Sequence, residues 1–191
     1  MNLFILNNTD GNFYFKPDTC LCNNNDDFYY PDYINDLIIQ PGFAVRITKS
    51  GKGINAKFSE RYYNQIDFAA NIIHSSLLKK HIVLEELTHF SSLEKSLYHI
   101  DINMDLTENY GNECILLSNG INTVKLNLDS NIKNKINLAI EKISRVFILK
   151  SGDLVVLVDN VYLDINKGNL ITLFKSNMRE DYTKLLDFSI K

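Results

Sequence analysis

The side chains that could do chemistry are scattered along this chain. Four histidines stand at positions 74, 81, 89 and 99, and no two are four residues apart. A zinc-binding helix needs two imidazoles one turn apart on one face, so no such pair is predicted. The cysteines at 20, 22 and 114 are odd in number and form no disulfide framework. Cys20-Leu21-Cys22 lacks a second Cys or His pair at zinc spacing. Cys114 begins a β-rich run, where a thiol is usually inert packing rather than a nucleophile. No Gly-x-Ser-x-Gly elbow occurs to strain a serine into attack. Ser50-Gly51-Lys52-Gly53 falls short of a phosphate loop and reads as a turn.

The elements that must position any site come next. The chain has 191 residues, a 45% hydrophobic and 11% aromatic content, and a formal charge of −3. That length and composition predict one ordered domain over 1–191. The charge supplies no dense basic face, which argues against nucleic acid or an anionic membrane as a partner. The N-terminus has no basic n-region and no small-residue cleavage site, and no apolar run reaches spanning length. The expected location is therefore the cytoplasm.

"ECILLSNGINTVKLNL" (113–128) predicts a β-hairpin around Asn119-Gly120, a pair that type I′ turns favour. Ile132, Ile136, Ala139, Ile140, Ile143 and Phe147 recur at helical spacing, with Asp129 or Ser130 placed to cap. Leu154 to Val158 is an unbroken apolar run of the kind buried on both faces of a sheet. "NLITLF" and "KLLDFSI" predict two more strands. Helical stretches are expected in "FSERYYNQIDFAANIIHSSLLKK" (58–80), and loop with short helix over 84–98. One stretch is anomalous: "NDLIIQPGFAVRI" (35–47) is β-rich, yet Gln40-Pro41-Gly42 interrupts it with a residue that cannot donate a ladder hydrogen bond and one without a side chain. A bulge or a broken ladder is expected there.

Several segments, in order from Phe13 to the C-terminus, resemble the fumarylacetoacetate hydrolase superfamily, in particular its short bacterial members. "FYFKPDTCL" resembles the family's F-x-KP-x-T-x-L entry strand, and "YYPDY" the segment leading to its catalytic strand. "GKGINAKFSERYYNQIDFAA" is similar to its Gly-Lys turn, KF…RYY helix and Asp-Phe-Thr-Ala motif. "FILKSGDLVV" resembles F-x-L-x-x-GD-L-I, and "KLLDFSIK" the closing strand. The resemblance implies an α+β, β-dominated fold, a mixed β-sheet roll like the family's C-terminal domain with short peripheral helices.

Members of that family hold Mg²⁺ or Mn²⁺ with a Glu-x-Glu strand and a later Asp, and act on 2-oxo acids. A hard divalent ion wants anionic oxygens in an octahedral array and stabilises a developing enolate as a Lewis acid. Carried across, the two Glu positions fall on Gln40 and Gly42, and Asp67 alone keeps its carboxylate, as a vestigial metal ligand. Lys80 lies near the family's substrate-facing lysine. The Thr-Gly-Thr-Pro loop has become Leu157, Val158, Asp159 and Asn160, and the family's His/Glu lid dyad has no counterpart before Phe13, where the lid segment reads as shortened or absent.

These substitutions predict a catalytically inactive homologue, with no catalytic residue, no resident cofactor, and a role in binding or interaction. A homodimer or an active relative is the expected partner, and a small oxo acid the expected ligand. The alternative is a divergent metal-dependent hydrolase, decarboxylase or isomerase of a 2-oxo acid, using Mg²⁺ or Mn²⁺ at a site rebuilt from Asp36, Glu60 and Asp67.

Overall fold

The computed structural model describes residues 1–7, 12–22, 25–78, 91–104, 114–128, 130–176 and 182–191. In chain order the strands are β1 (Leu3–Asn7), β2 (Phe13–Lys16), β3 (Leu21–Cys22), β4 (Leu37–Arg46), β5 (Ile66–His74) and β6 (Leu97–Met104). After them come the hairpin β7 (Cys114–Ser118) and β8 (Thr123–Asn127), then helix α1 (Ile132–Val146). The chain closes with β9 (Leu154–Val158), β10 (Leu163–Asp164), β11 (Leu170–Ser176) and β12 (Tyr182–Ser189). The result is the expected β-dominated mixed fold, with 3₁₀ turns at Asp18–Cys20, Ala56–Tyr62 and Ser75–Leu78.

The larger sheet runs β2-β1-β9-β4-β5-β6-β3, with β10 added beside β4, and the smaller runs β12-β11-β7-β8. The large sheet is curled. Tyr14 and Lys16 on β2 touch Asn71 and the Ile72 carbonyl on β5, although three strands separate β2 from β5 in the sheet. Side chains alternate across each strand, so the curl gives every strand an inner and an outer face.

The outer face is the main core. Phe43 and Val45 of β4, Phe68 and Ile72 of β5, and Val155 and Leu157 of β9 pack there with Ile136, Ile140 and Ile143 of α1. Ile171, Leu173 and Leu186 of the smaller sheet join the same cluster. Tyr98 of β6 stacks on Phe188 of β12 at 3.8 Å between ring centroids, tying the two sheets together.

Several expectations are corrected by the tertiary context. "IDFAANII" is strand β5 rather than helix, because it lies between β4 and β6 and buries both of its faces. Leu97 and Tyr98 open strand β6 rather than ending a loop. The hairpin forms, but residues 119–122 make a four-residue connection: Asn119 Oδ1 accepts from the Ile121 and Asn122 amides, and Gly120 alone takes a positive φ of 83°. Helix α1 begins after Asn131, which makes no side-chain cap hydrogen bond; Ser130 lies in the preceding turn, and Asp129 is outside the described residues.

Strand β4 holds no bulge. Its register with β5 is continuous from Leu37↔His74 to Ala44↔Asp67. On its other edge, β10 pairs with Ile38 and Ile39, and β9 pairs from Gly42 onward. Gln40 and Pro41 fall in the gap between those neighbours. A missing N–H at Pro41 therefore leaves no ladder partner unsatisfied, which is why a proline is tolerated inside a ten-residue strand.

Candidate functional site

The inner face of the curl gathers the polar residues. The pairs Gln40↔Asn71, Gly42↔Ala69 and Ala44↔Asp67 place these residues on one side, because directly opposed residues in an antiparallel pair share a face. Leu3, Ile5, Leu154, Val156 and Val158 form the apolar wall around them. Gln40, Asp67 and Asn71 are all buried.

Asp67 is closely engaged. Its carboxylate accepts from His99 Nε2 at 2.9 Å, from Gln65 Nε2 at 3.1 and 3.3 Å, and from the Ile102 amide at 3.3 Å. Gln65 also donates to Asp101 at 2.8 Å. On its far side, His99 Nδ1 faces Arg46 Nη2 at 3.3 Å. A guanidinium can only donate, so Nδ1 accepts, and the ring hydrogen sits on Nε2, directed at Asp67. Asp67, His99 and Arg46 thus form a chain in which the buried carboxylate is balanced by a guanidinium through an imidazole.

His99 and Arg46 are residues that reading the sequence for histidine pairs does not find. Their signal is phase: Arg46 lies six residues after Gln40 on the same strand and so points to the same face, and His99 stands opposite Ala69 in the register.

The remaining positions do not complete a carboxylate cage. Gln40 Nε2 donates to the Asp159 carbonyl at 3.2 Å, and its Oε1 accepts from Asn71 Nδ2 at 3.4 Å. Gly42 is required by close approach: a Cβ there would lie 2.7 Å from the Leu157 carbonyl oxygen and 3.1 Å from Val158 Cγ1. A glutamate at 42 would need β9 to move. One carboxylate already holding three donor groups, one amide and one glycine are a poor fit for Mg²⁺ or Mn²⁺, which dehydrate only for several oxygen ligands.

The alternative set does not come together either. Glu60 turns to α1, bonding Lys133 and Asn137, while the Asp36 carbonyl accepts from Ser75 at the start of β4. Among the described residues no three His, Cys, Asp or Glu side chains gather where a metal could be held. Lys80 lies outside the described residues. One cleft of about 230 Å³ is lined by residues including Tyr30, Asp32, Asn166 and Lys167, and Asp67 is not among them.

A second buried polar group is carried by β2. Lys16 is 1% exposed, and its ammonium donates to the Ile72 carbonyl at 2.8 Å and to Ser96 Oγ at 2.7 Å. Burial pulls its pKa down to about 7, against a smaller upward pull from Cys20. Burial pushes the Cys20 thiol up, and nearby Lys16 draws it partly back. The Asp153 carboxylate, from "SGD", is structural: it accepts from the Asn2 and Lys150 amides at 2.8 Å each and pins the N-terminus to the turn before β9.

No family model matches the chain, and no curated protein matches it by sequence. Solved structures do match over its full length. A protein assigned to the fumarylacetoacetate hydrolase family from Yersinia pestis CO92 superposes with a TM-score of 0.78 at 14% identity, covering 100% of this chain and 92% of that one. The chain has the fumarylacetoacetate hydrolase fold. A 2-hydroxyhepta-2,4-diene-1,7-dioate isomerase from Mycobacterium marinum shares the fold with a TM-score of 0.75 at 13% identity over 99% of this chain and 73% of its own. So does a fumarylpyruvate hydrolase from Pseudomonas aeruginosa, solved with Mn²⁺ and pyruvate, with a TM-score of 0.74 at 12% identity over 100% and 90%. Within this fold, the inner face of β4 and β5 is where this chain carries Gln40, Gly42 and Asp67. Among the described residues no helix is long and apolar enough to cross a membrane.

Proposed function

We propose that this chain uses the fumarylacetoacetate hydrolase fold as a binding or interaction module in the cytoplasm and turns over no 2-oxo acid. The observation that carries the reading is the state of Asp67: its carboxylate is satisfied by His99, Gln65 and a backbone amide, and the residues onto which the resemblance carries the family's two Glu ligands are Gln40 and Gly42. A second copy of the chain or an active relative is the partner this reading implies, with a small oxo acid as the ligand that such a fold would accept.

A second reading draws on the neighbours. The structures with this fold include an isomerase and a hydrolase solved with Mn²⁺ and pyruvate, which favours a divergent metal-dependent hydrolase, decarboxylase or isomerase. The two readings part in one assay. The purified protein, stripped with chelator, is supplied with Mg²⁺ or Mn²⁺ and incubated with acylpyruvates and with oxaloacetate. The module reading expects rates equal to the buffer blank. Turnover above the blank that disappears in Asp67→Ala would establish the enzyme reading instead.

A further inference from the structure

On the inner face of the curl, the hydrogen-bond directions can be followed atom by atom. The Asp159 carbonyl can only accept, so Gln40 must present its Nε2 to it and turn its Oε1 toward Asn71. That fixes Asn71 in turn. Its Nδ2 gives one hydrogen to Gln40 Oε1 at 3.4 Å and the other to Tyr14 Oη at 3.0 Å. Its Oδ1 takes part in neither bond, and this buried oxygen accepts no hydrogen bond among the described residues.

Tyr14 leaves the complementary loose end. Its oxygen accepts from Asn71, and burial pushes the phenol well above its ordinary pKa, so the hydroxyl keeps its proton. The Asn71 bond does not use that proton. Asn71 and Tyr14, already in contact, thus offer a bare acceptor and a donor that has no acceptor among the described residues. Buried polar groups in native proteins are almost always paired, with ordered water where protein atoms do not serve.

We infer that Asn71 Oδ1 and Tyr14 Oη–H enclose a binding site for one uncharged hydroxyl group, which accepts from the phenol and donates to the amide oxygen. A water molecule is the occupant that fits, since it can accept from the phenol and donate to the amide oxygen at once. The donor set selects against charged occupants. A cation would meet the Tyr14 hydroxyl hydrogen, and an anion would meet Asn71 Oδ1. The site depends on the direction of the Gln40 and Asn71 amides and on nothing in the proposed function, so it stands or falls separately.

The test is an atomic-resolution crystal structure of the full chain grown without alcohols or glycols. A round peak within hydrogen-bonding distance of both Asn71 Oδ1 and Tyr14 Oη is expected. Density extended beyond one atom would equally support the hydroxyl site but identify an organic alcohol carried from the cell as its source. No peak there, or an Asn71 amide turned with Oδ1 toward Tyr14 Oη, would overturn the inference. In solution, ¹⁷O relaxation dispersion should count one fewer long-lived internal water in Tyr14→Phe and in Asn71→Leu than in the wild type. An unchanged count in whichever variant folds would overturn it as well.

Discussion

Strands β4 and β5 each show two unlike faces. Outward, Phe43, Val45, Phe68 and Ile72 meet the helix and the smaller sheet in one continuous apolar cluster. Inward, the same strands present Gln40, Gly42, Ala44, Asp67, Ala69 and Asn71, small or polar residues joined by directed hydrogen bonds. The outer face tolerates any set of large apolar residues that fill the volume, because burial is non-directional. The inner face depends on the direction of individual donors and acceptors. A change on that face alters chemistry while the fold persists.

The contrast can be broken most strongly from outside. Phe188→Ala removes the ring stacked at 3.8 Å on Tyr98 and should cost about 4 kcal/mol in urea unfolding. Gly42→Ala tests the inner wall: its Cβ would stand 2.7 Å from a backbone oxygen, so the expected loss is about 2 kcal/mol from forced strand displacement. If Gly42→Ala proved neutral, the close approach of β9 would not be the reason for glycine.

Lys16 sharpens the comparison through pH. In the native state its pKa is near 7, and in the unfolded chain near the ordinary value of 10.5. Between these values the unfolded chain binds more protons, so stability rises with pH; below pH 7 both states are charged and the burial penalty is present in full. Chemical denaturation at pH 7 and pH 9 should show a gain on the order of 2 kcal/mol in the wild type, absent in Lys16→Met. The smallest effect belongs to the exposed surface. Asp187→Ala, which removes a 3.0 Å contact with Lys184, should change stability by less than about 0.5 kcal/mol.

Much of the frame was legible in the residues. The apolar spacing of α1, the run at β9 and the Asn-Gly connection of the hairpin are local patterns, and they appear where the spacing puts them. Strand β5 was not legible as a strand, because its apolar and small residues suit a helix equally until two neighbouring strands bury both faces. The site divides in the same way. Gln40, Gly42 and Asp67 were singled out by the resemblance alone, whereas His99 and Arg46 are 53 residues apart and meet only through the sheet.

The sequence by itself determined the alternation of the strands, the amphipathic helix and the residue types at positions 40, 42 and 67, since each is written in near neighbours. Only the tertiary structure decided that Pro41 falls in a gap between two partner strands, that Gly42 faces a carbonyl oxygen, and that Asp67 is answered by an imidazole and a guanidinium. Periodicity records which way a side chain points along its own strand. The partner it meets depends on the register and curl of strands distant in sequence, which no local pattern encodes.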